Sequence, residues 1–292
     1  MKKVIGLIII SAVLLLTPTR GFANYGLRRV GPNQNQLTIL VTDGGWGDAP
    51  SKDVQAVLYS TADELLKYFP DRRLHPLIVE HDESGPITLY RRGPHKEYIV
   101  RLNVEHKNWA QLVYQFSHEL THVLARRDGL KVNRHPNKWF EEALCVTASL
   151  FTLRRMAVNR SRVPPYTGWE EYAPFLGRYA EHHMGKPGRQ LPPGVTLAKW
   201  YRENADTLRN KDERSADARN KQYVIASRLL PVFERHPDLW EAVSYLNAGE
   251  PDGSHSFEHY LNSWHANSPE KHKRMIREII DMFRGDDIFR GR

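Results

Sequence analysis

"NWAQLVYQFSHELTHVLAR", residues 108–126, carries two histidines four positions apart, His118 and His122, with Glu119 directly after the first. At 100° per residue, Trp109, Leu112, Val113, Phe116, Leu120 and Val123 fall on one stripe, the pattern of a helix packed along one side. His118 and His122 lie on roughly the opposite side, one turn apart. Imidazoles at that spacing can both reach a single tetrahedral ion. Glu119 is turned away from the pair, so it is expected not to ligate but to reach a water beside the ion. A helix that is apolar on one side and carries donors on the other belongs between a core and a cleft, and the rest of the fold is read around it.

Upstream, the pattern is short and strand-like. "QLTILVTD" (36–43), "LHPLIVEHD" (74–82), "ITLY" (87–90) and "EYIVRLNVEH" (97–106) are rich in Ile, Leu, Val and Tyr. Gly44-Gly45, Gly85-Pro86 and Gly93-Pro94 punctuate them. One helix over about 51–68 interrupts, with Val54, Val57, Leu58, Leu65 and Leu66 at helical spacing. Downstream, helices are expected near 138–157, 169–183, 196–209, 215–235, 237–247, 255–265 and 269–284. The expected fold class is therefore α+β: a strand-rich N-terminal lobe over 24–107, then a mainly helical part over 108–292 that carries the donor helix.

At 292 residues with 40% hydrophobic and 26% charged content, the chain can bury a sizeable core. Residues 1–23 read as a secretory signal. Lys2 and Lys3 precede an apolar run over Val4–Leu16, and Gly21-Phe22-Ala23 offers small residues for cleavage after Ala23. The run is short for a spanning helix, which needs roughly 20 residues. The expected location is thus periplasmic or secreted, with no stable membrane span after cleavage. Loss of Lys2, Lys3 and Arg20 takes the formal charge from +8 to +5. Such a balance favours weak attraction to anionic surfaces, and the absence of an aromatic-interleaved basic motif argues against a nucleic-acid partner. The single cysteine, Cys145, allows no internal disulfide and reads as a buried, inert thiol.

"HELTH" (118–122) followed by "WFEEALC" (139–145) resembles the gluzincin branch of the zinc metallopeptidases, which have the thermolysin-like fold of the peptidase MA clan. In that family His-Glu-x-x-His is followed some 20 residues later by a glutamate in a second helix, often within Trp-x-x-Glu-Gly-x-Ala. Trp139, Glu142 and the 20-residue step from His122 match, whereas Ala143 stands in place of the glycine and Cys145 in place of the alanine. The resemblance covers about 100–155 and implies a zincin-like fold, one Zn²⁺ per chain, and His118, His122 and Glu142 as its ligands. Helical position also favours Glu142 over Glu141. Glu142 shares its face with Trp139, Val146 and Leu153, where an unpaired carboxylate is costly. Asp128 is the rival third ligand, at the position of the last histidine in the related His-Glu-x-x-His-x-x-Gly-x-x-His pattern. In the gluzincin family an acidic residue soon after the ligand glutamate often braces the first histidine; here Val146–Leu150 holds no carboxylate, so the surroundings of the ligands must differ.

The resemblance implies hydrolysis of peptide bonds, with Glu119 as general base. Two other functions fit the same residues: a catalytically inactive gluzincin-like binding module, and a zinc amidase acting on cell-wall peptide. No Gly-x-Met-Glu-Asn strand precedes the donor helix, so an endopeptidase is expected rather than an aminopeptidase, with a peptide or protein as substrate. Tyr223, which opens the apolar run of "NKQYVIASRLLPVFERHP" (220–237), is the expected oxyanion donor, with Tyr179, His182 and His183 in reserve. His255 and His259 share helical spacing but have no flanking acid, and they read as surface or packing residues.

Overall fold

The computed structural model describes residues 28–30, 35–126, 136–210, 215–249 and 256–285. The expected signal segment, Asp128 and His255 lie outside the described residues. Helices dominate and the sheet is small, so the chain is α+β in content.

The main sheet has four strands: β3 (Ile39–Val41), β4 (Leu77–His81), β5 (Ile87–Arg92) and β6 (Tyr98–Leu102), in the order β3-β4-β6-β5. The first three positions are parallel, with Ile39 opposite Leu77 and Leu77 opposite Tyr98. Leu77, Ile78, Val79, Tyr98, Ile99 and Val100 are consecutive and buried, because a parallel strand inside the fold is covered on both faces. β5 runs antiparallel to β6 and forms one edge. The opposite edge, β3, is closed by a helix, α1 (Ser51–Leu66). Tyr59 accepts from the Ile39 N–H at 3.0 Å and donates to the Leu37 carbonyl at 3.4 Å, while Gln55 donates to the Ile39 carbonyl at 2.6 Å. Those side chains satisfy backbone groups that an exposed edge would leave open.

The expected single strand over 36–43 is two strands. Asn35–Leu37 (β2) pairs antiparallel with Arg28–Val30 (β1), and β3 takes up the main sheet after a break at Thr38. The sequence carries no glycine or proline to mark the break, since each half is strand-forming and only the partner changes.

The donor helix is α2 (Trp109–Ala125), and the next is α3 (Lys138–Asn159). A 3-10 turn at Glu170–Tyr172 leads into α4 (Ala173–Met184), followed by α5 (Leu197–Asn210) and α6 (Ala216–Arg235). Ser215 caps α6 by accepting from the Ala218 N–H. Helices α7 (Phe257–Asn267) and α8 (Glu270–Arg284) close the chain. The helix expected over 237–247 is a 3-10 helix, Pro237–Tyr245. Its buried residues Leu239, Trp240, Ala242 and Val243 pair at i and i+3, which three residues per turn align as well as 3.6 do.

One apolar core runs from Leu37 to Phe283. Within it α2 packs on α1, on β5 and β6, and most extensively on α3, so Phe116, Leu120 and Val123 are fully buried. The face of α2 that carries His118 is left toward a cleft. That cleft has a volume of about 530 Å³ and lies between β5 and the α4–α6 side of the fold.

Candidate metal centre

His118, Glu119 and His122 line the cleft from α2, Glu142 from α3, and Tyr223 from α6. The cleft therefore brings together all five residues singled out in the sequence. Nε2 of His118 lies 3.1 Å from one Glu142 oxygen, and Nε2 of His122 lies 3.4 Å from the other. Two donors that share a tetrahedral zinc at ~2.0–2.1 Å stand about 3.3 Å apart along the tetrahedron edge. Each imidazole thus stands at a ligand-like distance from a Glu142 oxygen, a spacing compatible with a shared metal ion. Lys138 also approaches Glu142, with Nζ at 3.6 Å from Oε1.

A second donor set overlaps the first. His118, His122 and Cys145 place possible ligand atoms within 4.8 Å of one another and could hold a metal ion. Cys145 lies one turn beyond Glu142 on α3 and is fully buried, as the sequence implied. Burial pushes its thiol up to about 12, against the opposing pull of His122. Burial resists a charge on His122, yet Cys145, Glu142 and Glu141 together hold this imidazole well above the usual histidine range. Since the thiol stays protonated at neutral pH, the two carboxylates carry that effect. Burial likewise opposes ionisation of Glu142, and His122 and His118 outweigh it and hold the carboxyl well below its usual range. The imidazoles and carboxylates thus favour each other's charged forms, and a metal ion bound there would compete with protons for the same nitrogens.

Glu141 corrects the face argument made from the sequence. It is the deeper of the two carboxylates, 2% exposed, and it is paired rather than turned toward the surface. Its Oε1 lies 2.7 Å from Nδ1 of His122, and its Oε2 accepts from the Asn247 side-chain amide at 2.9 Å. Tyr260 in turn donates to Oδ1 of Asn247 at 2.9 Å. Glu141 is therefore a brace on the second histidine, His122, and not on the first, where the family resemblance implies one. By engaging Nδ1 it fixes the tautomer and leaves Nε2 for Glu142 or an ion. Adjacent carboxylates on a helix point about 100° apart, so the pair can grip one imidazole at both nitrogens. For His118 no such brace is present among the described residues: its Nδ1 is buried without a hydrogen-bond partner.

Glu119 is 3% exposed, and its Oε2 accepts from the Thr88 hydroxyl at 2.7 Å. The same hydroxyl lies 3.2 Å from the Glu119 carbonyl oxygen. Thr88 sits on β5, in a stretch read from the sequence only as a strand. Strand alternation marks it as facing one way with Tyr90, but which face meets α2 is set by the tertiary fold.

Tyr223 is 3% exposed and stands among other rings rather than alone. It donates to the Tyr114 hydroxyl at 2.8 Å and lies 2.9 Å from Nδ1 of His183. Arg189 stacks on the Tyr223 ring at 3.9 Å and donates to the His183 carbonyl at 2.9 Å. Burial, Lys186, Arg189 and His182 lower His183 to about 4, so its imidazole is neutral over most working conditions. Tyr114 was not singled out in the sequence, although its position one turn before His118 on α2 places it on the same side. Of the reserve donors, Tyr179 and His183 line the cleft.

No protein-family model matches this chain, and no curated protein matches it. Among the described residues, no helix is long and apolar enough to cross a membrane.

Proposed function

We propose that this protein is an exported zinc metallopeptidase of zincin-like fold that hydrolyses peptide bonds, acting as an endopeptidase. The observation that carries the reading is the placement of Glu119. It is a buried carboxylate, oriented by Thr88, on the same cleft wall as the donor cluster of His118, His122 and Glu142. A site that only stores a metal has no use for a further carboxylate held there.

The three donors would hold one zinc ion, with Glu141 keeping His122 in register. When bound, the ion supplies Lewis acidity that polarises the scissile carbonyl and eases deprotonation of a water. Glu119 takes the proton from the attacking water and delivers it to the leaving amine. Thr88 donates to one carboxylate oxygen and leaves the other for that proton. Tyr223, whose hydroxyl donates to Tyr114 in this structure, would turn that proton to the oxygen on which negative charge develops. Edge strand β5 offers backbone groups beside the cleft, where an extended peptide can be held as an added strand.

The direct test is metal removal. The purified chain should contain one zinc and cleave members of a broad peptide mixture internally, read by mass spectrometry. A chelator should stop cleavage and one equivalent of zinc should restore it. A zinc-loaded protein that cleaves nothing in the mixture removes the enzyme reading.

Tyr223→Phe tests the oxyanion role. The ring and its stacking remain, and only the hydroxyl goes. The expected result is a kcat lowered by about 10²–10³ with zinc content unchanged. An unchanged kcat would make Tyr223 part of the wall and move the role to Tyr114 or His183, which share its hydrogen-bond chain.

One observation favours a second reading. Cys145 completes a nitrogen- and sulfur-donor group with the two histidines, the kind of set that structural zinc sites use. A metal held that way would suit a binding module.

A further inference from the structure

Three cations surround the proposed site, each four residues from one of its members. Arg126 follows His122, Lys138 precedes Glu142, and Arg219 precedes Tyr223. Four residues along a helix rise about 6 Å, one turn. Lys138 and Arg219 therefore stand one turn out from the reacting centre, and Arg126 lies in extended backbone just past the end of α2 on the cleft wall.

The acids that line the cleft among the described residues are Glu119 and Glu142, and both are engaged within the site. Lys138 is drawn to Glu142. The Arg126 guanidinium lies 4.6 Å over the Tyr90 ring and reaches toward the Thr88 and Leu89 carbonyls at 3.5 and 3.4 Å. Those contacts fix its position without neutralising it. Arg219 is exposed at the rim. A divalent ion and Lys138, which is paired with Glu142, would offset Glu119, Glu141 and Glu142, leaving Arg126 and Arg219 to set the sign of the cleft. A concave surface of one sign concentrates its field and draws the opposite charge.

We infer that the cleft takes acidic peptides, with carboxylates on both sides of the reacting bond. The inference rests on the peptidase reading for what happens to the peptide, but its binding can be measured without turnover. Arg126 meets the segment near the donor helices, and Arg219 meets the segment near Tyr223. Arginine at both positions suits paired, planar recognition of carboxylate.

The experiment uses the zinc-loaded full chain carrying Glu119→Gln, so that bound peptide is not consumed. Three octapeptides with the same fluorescent label are titrated by anisotropy: one with three glutamates, one with glutamines in their place, and one with lysines. A soluble cell-wall stem peptide with as many carboxylates forms a fourth arm. The glutamate peptide should bind about tenfold tighter than the glutamine peptide, and the lysine peptide weakest of all. Added salt should shrink the difference. Arg219→Gln, a change at an exposed position, should reduce the preference, and Arg126→Gln with Arg219→Gln should abolish it. The stem peptide binding like the glutamate octapeptide would extend the carboxylate preference to cell-wall peptide; its failure to bind would restrict it to linear chains. Equal binding of the three octapeptides overturns the inference and leaves the peptidase reading standing. So does a preference that survives the double change. Binding of none of them, with cleavage also absent in the unsubstituted chain, removes both.

Discussion

Glu119→Gln should lower kcat/KM by about 10²–10⁴ and leave zinc content and melting temperature as they were. Glutamine keeps the size of the side chain and an oxygen that can accept from Thr88, so the 2.7 Å contact that orients position 119 has a counterpart in the variant. What it loses is the ability to hold a proton between the water and the leaving amine. Because Glu119 is not among the donors around Glu142, the metal should stay. The measurement is a rate on a cleaved peptide beside metal analysis and a melting curve on the same preparation. A variant with intact zinc and an unchanged rate ends the general-base role. Thr88→Val supplies a graded companion. It would leave the base in place but free to rotate, so it should cost less than Glu119→Gln.

Periodicity located most of this fold because each helix wears its apolar stripe openly. The donor helix expected over 108–127 is Trp109–Ala125, and the helix expected over 138–157 is Lys138–Asn159. The exceptions have local reasons. At Thr38 the chain changes partner strand without changing conformation type, so nothing in composition marks it. At Pro237–Tyr245 the buried spacing suits both helix types.

The site was legible to the extent that its residues sit on one helix face. His118 and His122 declare themselves by being one turn apart. Glu141 does not, because helical spacing marks which carboxylate faces apolar neighbours and carries no sign of a buried carboxylate matched to a ligand's other nitrogen. Its partner there, His122, is 19 residues away, and Asn247 is 106 away. Thr88 and Tyr114 were invisible for the same reason: Thr88 touches Glu119 across 31 positions and Tyr114 touches Tyr223 across 109. Contacts at that range are products of the packing of β5, α2 and α6, and no window of sequence contains them.

Glu142→Ala should abolish tight zinc binding and all hydrolysis, whereas Cys145→Ser should leave both nearly as they are. The two changes separate overlapping donor sets. If the ion sits among His118, His122 and Glu142, removing the carboxylate takes away one of three ligands and, among the described residues, the negative one in direct contact with both imidazoles. Serine at 145 then removes a neutral thiol that touches the site from inside the core, at the cost of a small buried polar group. If instead the ion sits among His118, His122 and Cys145, the outcomes invert: Cys145→Ser sheds the metal, and Glu142→Ala keeps it. Cobalt substitution makes the distinction spectroscopic, because a bound thiolate adds an intense near-ultraviolet charge-transfer band that carboxylate ligation lacks. Glu141→Gln grades the same series. It weakens the hold on Nδ1 of His122 without removing a ligand, so zinc affinity should fall by about 10–100-fold and no further. Loss of all zinc from Glu141→Gln would mean that this carboxylate binds the ion itself. Retention of tight zinc by Glu142→Ala would end the peptidase assignment of the three donors, since the open position that hydrolysis needs would then be lined by a different set.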